Sequence, residues 1–352
     1  MYALQSWLFR SVALALLLFT PKWTAAQIPS PALLVLEKSD NSLAIVDPAS
    51  LKIVARVPVG QDPHEIVTSP DGKVAYVSNY GGSDSNLNTI AVVDLVAGKA
   101  LPPIDLGALR SAHGLDFAGG KLYFTVETNK AFGRYDPASQ KIDWILGTGQ
   151  DRTHMILVSQ NLDRIVTANV SSGTISIIEQ VSPPAPPPGG PPGPGNPRKT
   201  WKITNVPAGR GAEGFDVSPD GKEIWAANAL DGTVTIIDVA SKKVVQTLPI
   251  SVNHANRLKF TPDGKRVLIS GLGPSAASKG SNLEIVDAAT HKEIKQLNLG
   301  GGSAGILILA DGSRAFVAVS EKNKVAVVDL KSLEVTGEIP TGKQPDGLAW
   351  AQ

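Results

Sequence analysis

The chain has 352 residues, 33 basic and 32 acidic side chains, a formal net charge of +1 and no cysteine. That balance carries no basic excess for nucleic acid or an anionic membrane surface, and the lack of thiols excludes disulfides, thiol catalysis and a cysteine lipid anchor. Aromatic content of 5% with 34 Gly, and many short Val- and Ile-rich segments, points to all-β structure.

Taken in chain order, the first element is a leader. Arg10 precedes the apolar run Val12 to Phe19, and Thr24-Ala25-Ala26 places small residues at −3 and −1 of a cleavage point. The run is too short to span a bilayer. Residues 1–26 are therefore read as a signal peptide, and the mature protein is expected to start near Gln27 and to be exported, to a periplasm or to the medium.

Next, "ALLVLEKSDNSLAIVDPASLKIVARVPVG" (32–60) reads as three strands of a four-stranded unit that lacks its first. From Pro63 the complete pattern appears: a strand, the turn Ser69-Pro70-Asp71-Gly72, the strand "KVAYVSN", a strand "TIAVVD" ending at Asp94, and a fourth strand. The turn returns at Ser218–Gly221 and Thr261–Gly264, and in degenerate form at Leu309–Gly312. The third strand returns with its acid at Asp47, Asp136, Glu179, Asp238, Asp287 and Asp329. These acids read as caps of the turn between strands three and four. Positions equivalent to His64 fall at 113, 154, 213, 256, 304 and 346, at spacings of 49, 41, 59, 43, 48 and 42 residues. These are propeller-blade lengths, and six intervals mark seven blades. The longest contains "PPAPPPGGPPGPGNP" (183–197), nine Pro and four Gly in fifteen residues, within a loop insertion (182–199) between strands three and four. At the C-terminus, "KQPDGLAW" begins a unit that does not continue. It is expected to supply the missing first strand of the N-terminal blade and so close the ring. The expected fold is an all-β, seven-bladed β-propeller of four-stranded antiparallel blades over residues 27–352, as a monomer.

The strand ends Tyr76-Val77-Ser78-Asn79, Trp225-Ala226-Ala227-Asn228 and Ile165-Val166-Thr167-Ala168-Asn169 resemble the YVTN family of propeller repeats, over nearly all of residues 32–352. The resemblance implies fold more than function, because this scaffold hosts lactonases, lyases, redox subunits and pure binding modules.

The residue entering each first strand sits at the channel mouth. Around the ring these are His64, His113, His154, Glu213, Asn256, Ala304 and Asp346. Three of the chain's five histidines share one structural position in consecutive blades, followed by a glutamate. Neutral imidazoles with a carboxylate suit a divalent metal such as Zn, Mn or Fe, so His64, His113, His154 and Glu213 are its candidate ligands. The other reading is a polar plug whose histidines satisfy neighbouring groups. At strand-two ends Glu37 and Glu127 replace the usual asparagine, and they act either as acceptors for imidazole N–H or as turn residues. Glu127 or Asp346 would move a proton. Arg257 would clamp an anionic substrate group or pair with Glu65 or Glu213. His254 and His291 read as surface residues, and "GLGPSAASKG" (271–280) as a top-face loop able to cover the funnel.

Two functions follow. One is an exported metal-dependent hydrolase or lyase acting on a small molecule at the funnel. Here similarity to seven-bladed lactonases implies lactone opening, although those often carry an Arg-His pair where this chain has Pro63-His64, Ala112-His113 and Thr153-His154. The other is a non-catalytic periplasmic or cell-surface module that binds a ligand or protein loop.

Overall fold

The computed structural model describes residues 28–81, 87–182, 199–273 and 282–352. The leader (1–26), residues 183–198 of the Pro-rich insertion and most of the 271–280 loop lie outside the described residues. Among those described, no helix is long and apolar enough to cross a membrane.

Seven four-stranded antiparallel sheets make up the fold. Blade 1 combines the C-terminal strand Pro345–Ala351 with Ala32–Glu37, Ser42–Asp47 and Lys52–Pro58. The joint runs in register from Ala32 opposite Ala351 to Val35 opposite Leu348. Closure by the two chain ends is as the sequence predicts. The remaining blades run in chain order over 63–105, 112–147, 153–207, 212–249, 255–297 and 306–340. Strands two and three are nearly continuous in apolar residues because a neighbouring blade covers each of their faces. All six residues of Ala32–Glu37 are buried. The core is thus distributed between blades: Leu34, Leu36, Leu43 and Ile45 of blade 1 pack with Ala75, Val77 and Val93 of blade 2.

Local chemistry explains the repeat. In the turn after strand one, Ser69 Oγ donates to Asp71 and accepts from the Val74 amide, while Gly72 takes a φ of +67°. The same geometry recurs at Ser218 with Gly221 and at Thr261 with Gly264. Blade 4 uses Ser159 with Leu162 at φ +61°, and for that reason its turn escapes the Pro-Asp-Gly pattern. The strand-three acids behave as turn caps, Asp94 accepting from the Val96 amide at 2.9 Å and Asp329 from the Ser332 amide at 2.7 Å. Asparagines at strand-two ends tie that strand to the start of the third: Asn79 to Thr89, Asn169 to Thr174 and Asn228 to Thr233.

Every first strand from blade 1 to blade 6 breaks register at the ring position. The break is a β-bulge, which re-aims a side chain out of the ladder. A glycine follows in four blades, and the reason is steric. A Cβ on Gly214 would lie 2.3 Å from the Asn256 carbonyl oxygen, and one on Gly347 would lie 2.4 Å from that of His64. Each such glycine lets the next blade's inner strand close against the ring.

Candidate functional site

The bulges bring the ring residues together. His64 Nδ1 and His113 Nε2 share a hydrogen bond of 3.0 Å. The rings of His113 and His154 stack with centroids 3.6 Å apart. Tyr80, just beyond strand two of blade 2, lies against both His64 and His113. His113 and His154 are buried, at 1% and 2% exposure, whereas the side chains of His64 and Glu213 retain 17% and 14% at the rim.

Acids surround this stack. Glu127 accepts a hydrogen bond from His154 Nδ1 on one oxygen; on the other it is held by Tyr80 Oη at 2.6 Å and Arg152 Nε at 3.3 Å. The opposite nitrogen, His154 Nε2, lies 3.7 Å from Glu213 and has no hydrogen-bond partner. Glu213 is also 3.7 Å from His254. His64 reaches Asp62 at 3.2 Å and Asp346 at 3.7 Å. Asp346 accepts from Lys38 at 3.2 Å through one oxygen, and its other oxygen is buried and unpartnered. His113 Nδ1 and Asn256 Oδ1 are likewise buried without partners.

These contacts set the charge states. Burial drives His113 well below the usual imidazole value, and the neighbouring histidines add to the effect. Burial also lowers His154, overcoming the opposing pull of Glu127. Both are neutral at pH 7. For Glu127 burial pushes upward, but hydrogen bonds from His154 and Tyr80 and the charge of Arg152 win, and its pKa falls to about 2. Asp346 is held below the usual carboxylate range because Lys38, His64 and Arg257 outweigh its burial.

Arg257 does not present a free guanidinium to the funnel. It crosses the pore from blade 6 to Glu65 on blade 2, with contacts of 3.1 and 2.6 Å to one carboxylate oxygen, and it is 7% exposed. Beneath this bridge the axial channel encloses about 440 Å³, with apolar walls from residues such as Phe117, Leu157, Phe215 and Trp350. A larger groove of about 820 Å³ lies elsewhere, between blades 2 and 3 beside Pro102, Pro103 and Tyr135; it contains none of the ring residues. Glu37 faces away from the ring, bound to Arg56, Ser42 and the Gly342 amide. His291 packs on Trp225 and bonds Gln246, far from the ring in its connections.

The residues of the metal expectation are adjacent, but their nitrogens are not free in common. His64 and His113 spend one nitrogen each on one another, which leaves His113 Nδ1, His154 Nε2 and the Glu213 carboxylate. Among the described residues, no group of three or more His, Asp and Glu side chains is placed to hold a metal ion.

Sequence reasoning missed Tyr80, Arg152, Lys38 and Asp62; His254, read as a surface residue, is 41% exposed and lies 3.7 Å from Glu213 at the rim. Two of these carried a signal. Tyr80 directly follows the Asn79 strand end, and Arg152 directly precedes the Thr153-His154 strand start.

No family model matches the chain, and no curated protein sequence does. Solved structures match in fold. A functionally unknown protein from Desulfotomaculum acetoxidans superposes with a TM-score of 0.71 at 12% identity, covering 91% of this chain and 99% of its own. A proposed 6-phosphogluconolactonase from Bacteroides fragilis gives 0.69 at 15% identity, covering 95% and 100%. Hydrazine synthase from Kuenenia stuttgartiensis gives 0.65 at 18%, covering 82% and 89%. At such identities the likeness extends to the fold alone: a seven-bladed propeller with lactonase-like structural neighbours.

Proposed function

We propose that this chain is an exported hydrolase of the propeller type, opening a small ester or lactone at its top-face funnel by metal-free acid–base chemistry. The observation that carries the reading is the state of His154. One nitrogen is fixed by an ionised carboxylate, the ring is neutral, and the other nitrogen is buried without a partner. A carboxylate–imidazole pair of this kind orients the ring, fixes its tautomer and stabilises the imidazolium that forms when the free nitrogen takes a proton.

In this scheme His154 Nε2 removes a proton from water as the water attacks the substrate carbonyl. It then returns the proton to the leaving alkoxide. Glu127 is a positioning residue, itself held by Tyr80 and Arg152. Glu213 lies beside the reacting nitrogen and favours its protonated form in the transition state. The lactone preference is supported by the fold of the Bacteroides fragilis neighbour and by no residue correspondence.

The test is hydrolysis of a panel of lactones and esters by purified protein, monitored by proton release. His154→Gln is expected to abolish turnover. Glu127→Gln is expected to lower kcat by roughly two orders of magnitude or more, through loss of ring orientation, and to shift the acid limb of the pH profile. Absence of turnover across the panel, or turnover unchanged in His154→Gln, refutes the scheme. Metal analysis of untagged protein addresses the divalent-ion reading, and stoichiometric metal lost in a His113→Ala/His154→Ala double variant would replace the metal-free scheme. The second reading, a non-catalytic binding module, is favoured by one observation: the His113–His154 stack is buried, whereas His64 and Glu213 at the rim retain 17% and 14% exposure. It predicts saturable ligand binding without turnover.

A further inference from the structure

The two halves of the ring differ. Blades 2 to 4 fill theirs with three imidazoles. The other half runs Glu213, Asn256, Ala304, Asp346 over blades 5, 6, 7 and 1. Ala304 contributes only a methyl group, so the ring is thinnest at blade 7. Two oxygen acceptors without partners stand on either side of that position. Asn256 Oδ1 and Asp346 Oδ1 are buried and unpartnered, in residues 3% and 4% exposed. Among the described residues Glu213 forms no ion pair with a lysine or arginine, and His154 and His254 each lie 3.7 Å from it. Glu213 lies 3.7 Å from His154 and Asp346 lies 3.7 Å from His64, so the two acids border the two ends of the imidazole stack.

Charge bookkeeping gives the sign of the missing ligand. At the mouth stand five carboxylates (Asp62, Glu65, Glu127, Glu213 and Asp346) against three cations. Each cation is already committed: Lys38 to Asp346, Arg152 to Glu127, Arg257 to Glu65. Among these carboxylates and cations the excess is two negative charges. Buried carboxylate oxygen without a donor costs free energy, and water or a cationic donor relieves it. A phosphate or carboxylate would add to the deficit and find no uncommitted cation among these groups.

We infer that the Glu213–Asn256–Ala304–Asp346 half of the funnel is a binding site for an ammonium group, and that the ligand is therefore a small amine-bearing molecule rather than a phosphorylated or carboxylated one. A primary ammonium has three N–H donors and one positive charge. The site offers three acceptors, two of them anionic. The inference rests on reading the funnel as a ligand site. Joined to the scheme above, it makes the substrate an amino-substituted ester or lactone, its ammonium in this half of the ring and its carbonyl toward His154.

The experiment titrates purified protein with n-butylammonium, butyrate, inorganic phosphate and calcium chloride at pH 7.5, by calorimetry and by NMR. Butylammonium is expected to saturate in the millimolar range, and butyrate and phosphate are not. Asn256→Leu and Asp346→Asn should each weaken butylammonium by roughly tenfold or more, the worth of a hydrogen bond to a charged group. Ala304→Val, which fills the thin position and removes no charge, should abolish binding while the near-ultraviolet dichroism of the fold persists. Saturation by butyrate or phosphate with none by butylammonium overturns the inference and leaves a ligand site of opposite preference. Butylammonium binding untouched by all three variants overturns it by placing the amine elsewhere, and calcium displacing butylammonium converts the site to one for an inorganic cation. Ammonium binding sensitive to the three variants, in a protein that hydrolyses nothing, upholds this inference and removes the hydrolase scheme.

Discussion

The Glu65–Arg257 bridge across the pore offers a stringent test of the site's electrostatics. Its side chains are 17% and 8% exposed. Removing one partner of a buried pair costs about 3–5 kcal/mol, because the other charge is left desolvated. The two single changes are not equivalent here. In Glu65→Gln the guanidinium keeps the nearby carboxylates of Asp346 and Glu213, which also hold its pKa up, so the cost should sit near about 3 kcal/mol. In Arg257→Met the carboxylates of Glu65, Glu213 and Asp346 lose their shared cation, and the cost should reach about 5 kcal/mol. At about 2 °C per kcal/mol for a chain of this size, the melting temperature should fall by roughly 6 and 10 °C. The double variant should cost less than the sum of the singles, since the residues are in direct contact. Thermal and urea unfolding followed by tryptophan fluorescence measures all three. A Glu65→Gln penalty equal to or larger than that of Arg257→Met, or strictly additive changes, would show that Asp346 and Glu213 do not share the axial cation. The charge argument for the ammonium site would fall with it.

Other expectations follow from single contacts. His113 and His154 have folded pKa values below the usual 6.5, so between those values and 6.5 the unfolded chain binds protons that the native state refuses. Stability should be level above about pH 7 and fall on acidification, by at most about 1.4 kcal/mol per pH unit for each proton. His113→Asn should flatten the melting temperature between pH 7.5 and 5, and a wild-type protein that grows more stable over that interval would contradict the burial argument. A second decline belongs to Glu127, whose folded value of about 2 lies below the usual 4.5. Its contribution is present above pH 4.5 and is lost as pH falls toward 2. Deleting residues 345–352 uncovers the edge of Ala32–Glu37, a strand buried along its whole length. The truncated protein should elute from size exclusion as soluble aggregate or be recovered insoluble, because an apolar strand edge recruits another. Gly214→Ala drives a Cβ to 2.3 Å from the Asn256 carbonyl oxygen and should cost about 1–3 kcal/mol. Gly147→Ala, with nothing within 4 Å, is the control and should be near neutral by chemical denaturation.

The fold was legible because its punctuation is local. Ser-Pro-Asp-Gly turns, strand-three acids and the phase between them locate every blade without knowledge of any long-range contact. The ring was legible for the same reason: a fixed offset from a turn is a fixed place in the propeller. Side-chain direction was another matter. Whether His64 and His113 face a common ion or one another depends on ring rotation and on how closely adjacent bulges approach, and neither is written in residue spacing. Lys38, Asp62 and Arg152 lie just outside the strands, and Arg152 reaches Glu127 across a blade boundary, so no strand pattern marks them. Arg257 could be read as a clamp or as a buried pair, and what decides between these is Glu65, nearly two hundred residues away on the far side of the pore.

Glu127 and Glu37 show how far such reasoning extends. Both precede a blade whose ring residue is histidine, but only Glu37 stands where other blades have asparagine; in blade 3 that register belongs to Val126, and Glu127 lies one residue beyond it, contrary to the sequence reading. Glu127 grips His154, whereas Glu37 leaves His64 to Asp62 and Asp346. The difference begins with that one-residue offset, which takes Glu127 past the strand end. In blade 1, Ala44 pairs with Arg56, whose guanidinium takes the Glu37 carboxylate. In blade 3 the equivalent pair is Gly133 with Ile145, which has no charge to offer. Past the strand end, Glu127 meets the cations and donors of its neighbours, Tyr80 from blade 2 and Arg152 and His154 from blade 4. The Glu127–His154 pair therefore depends on where the second strand of blade 3 ends as much as on the residues that form it.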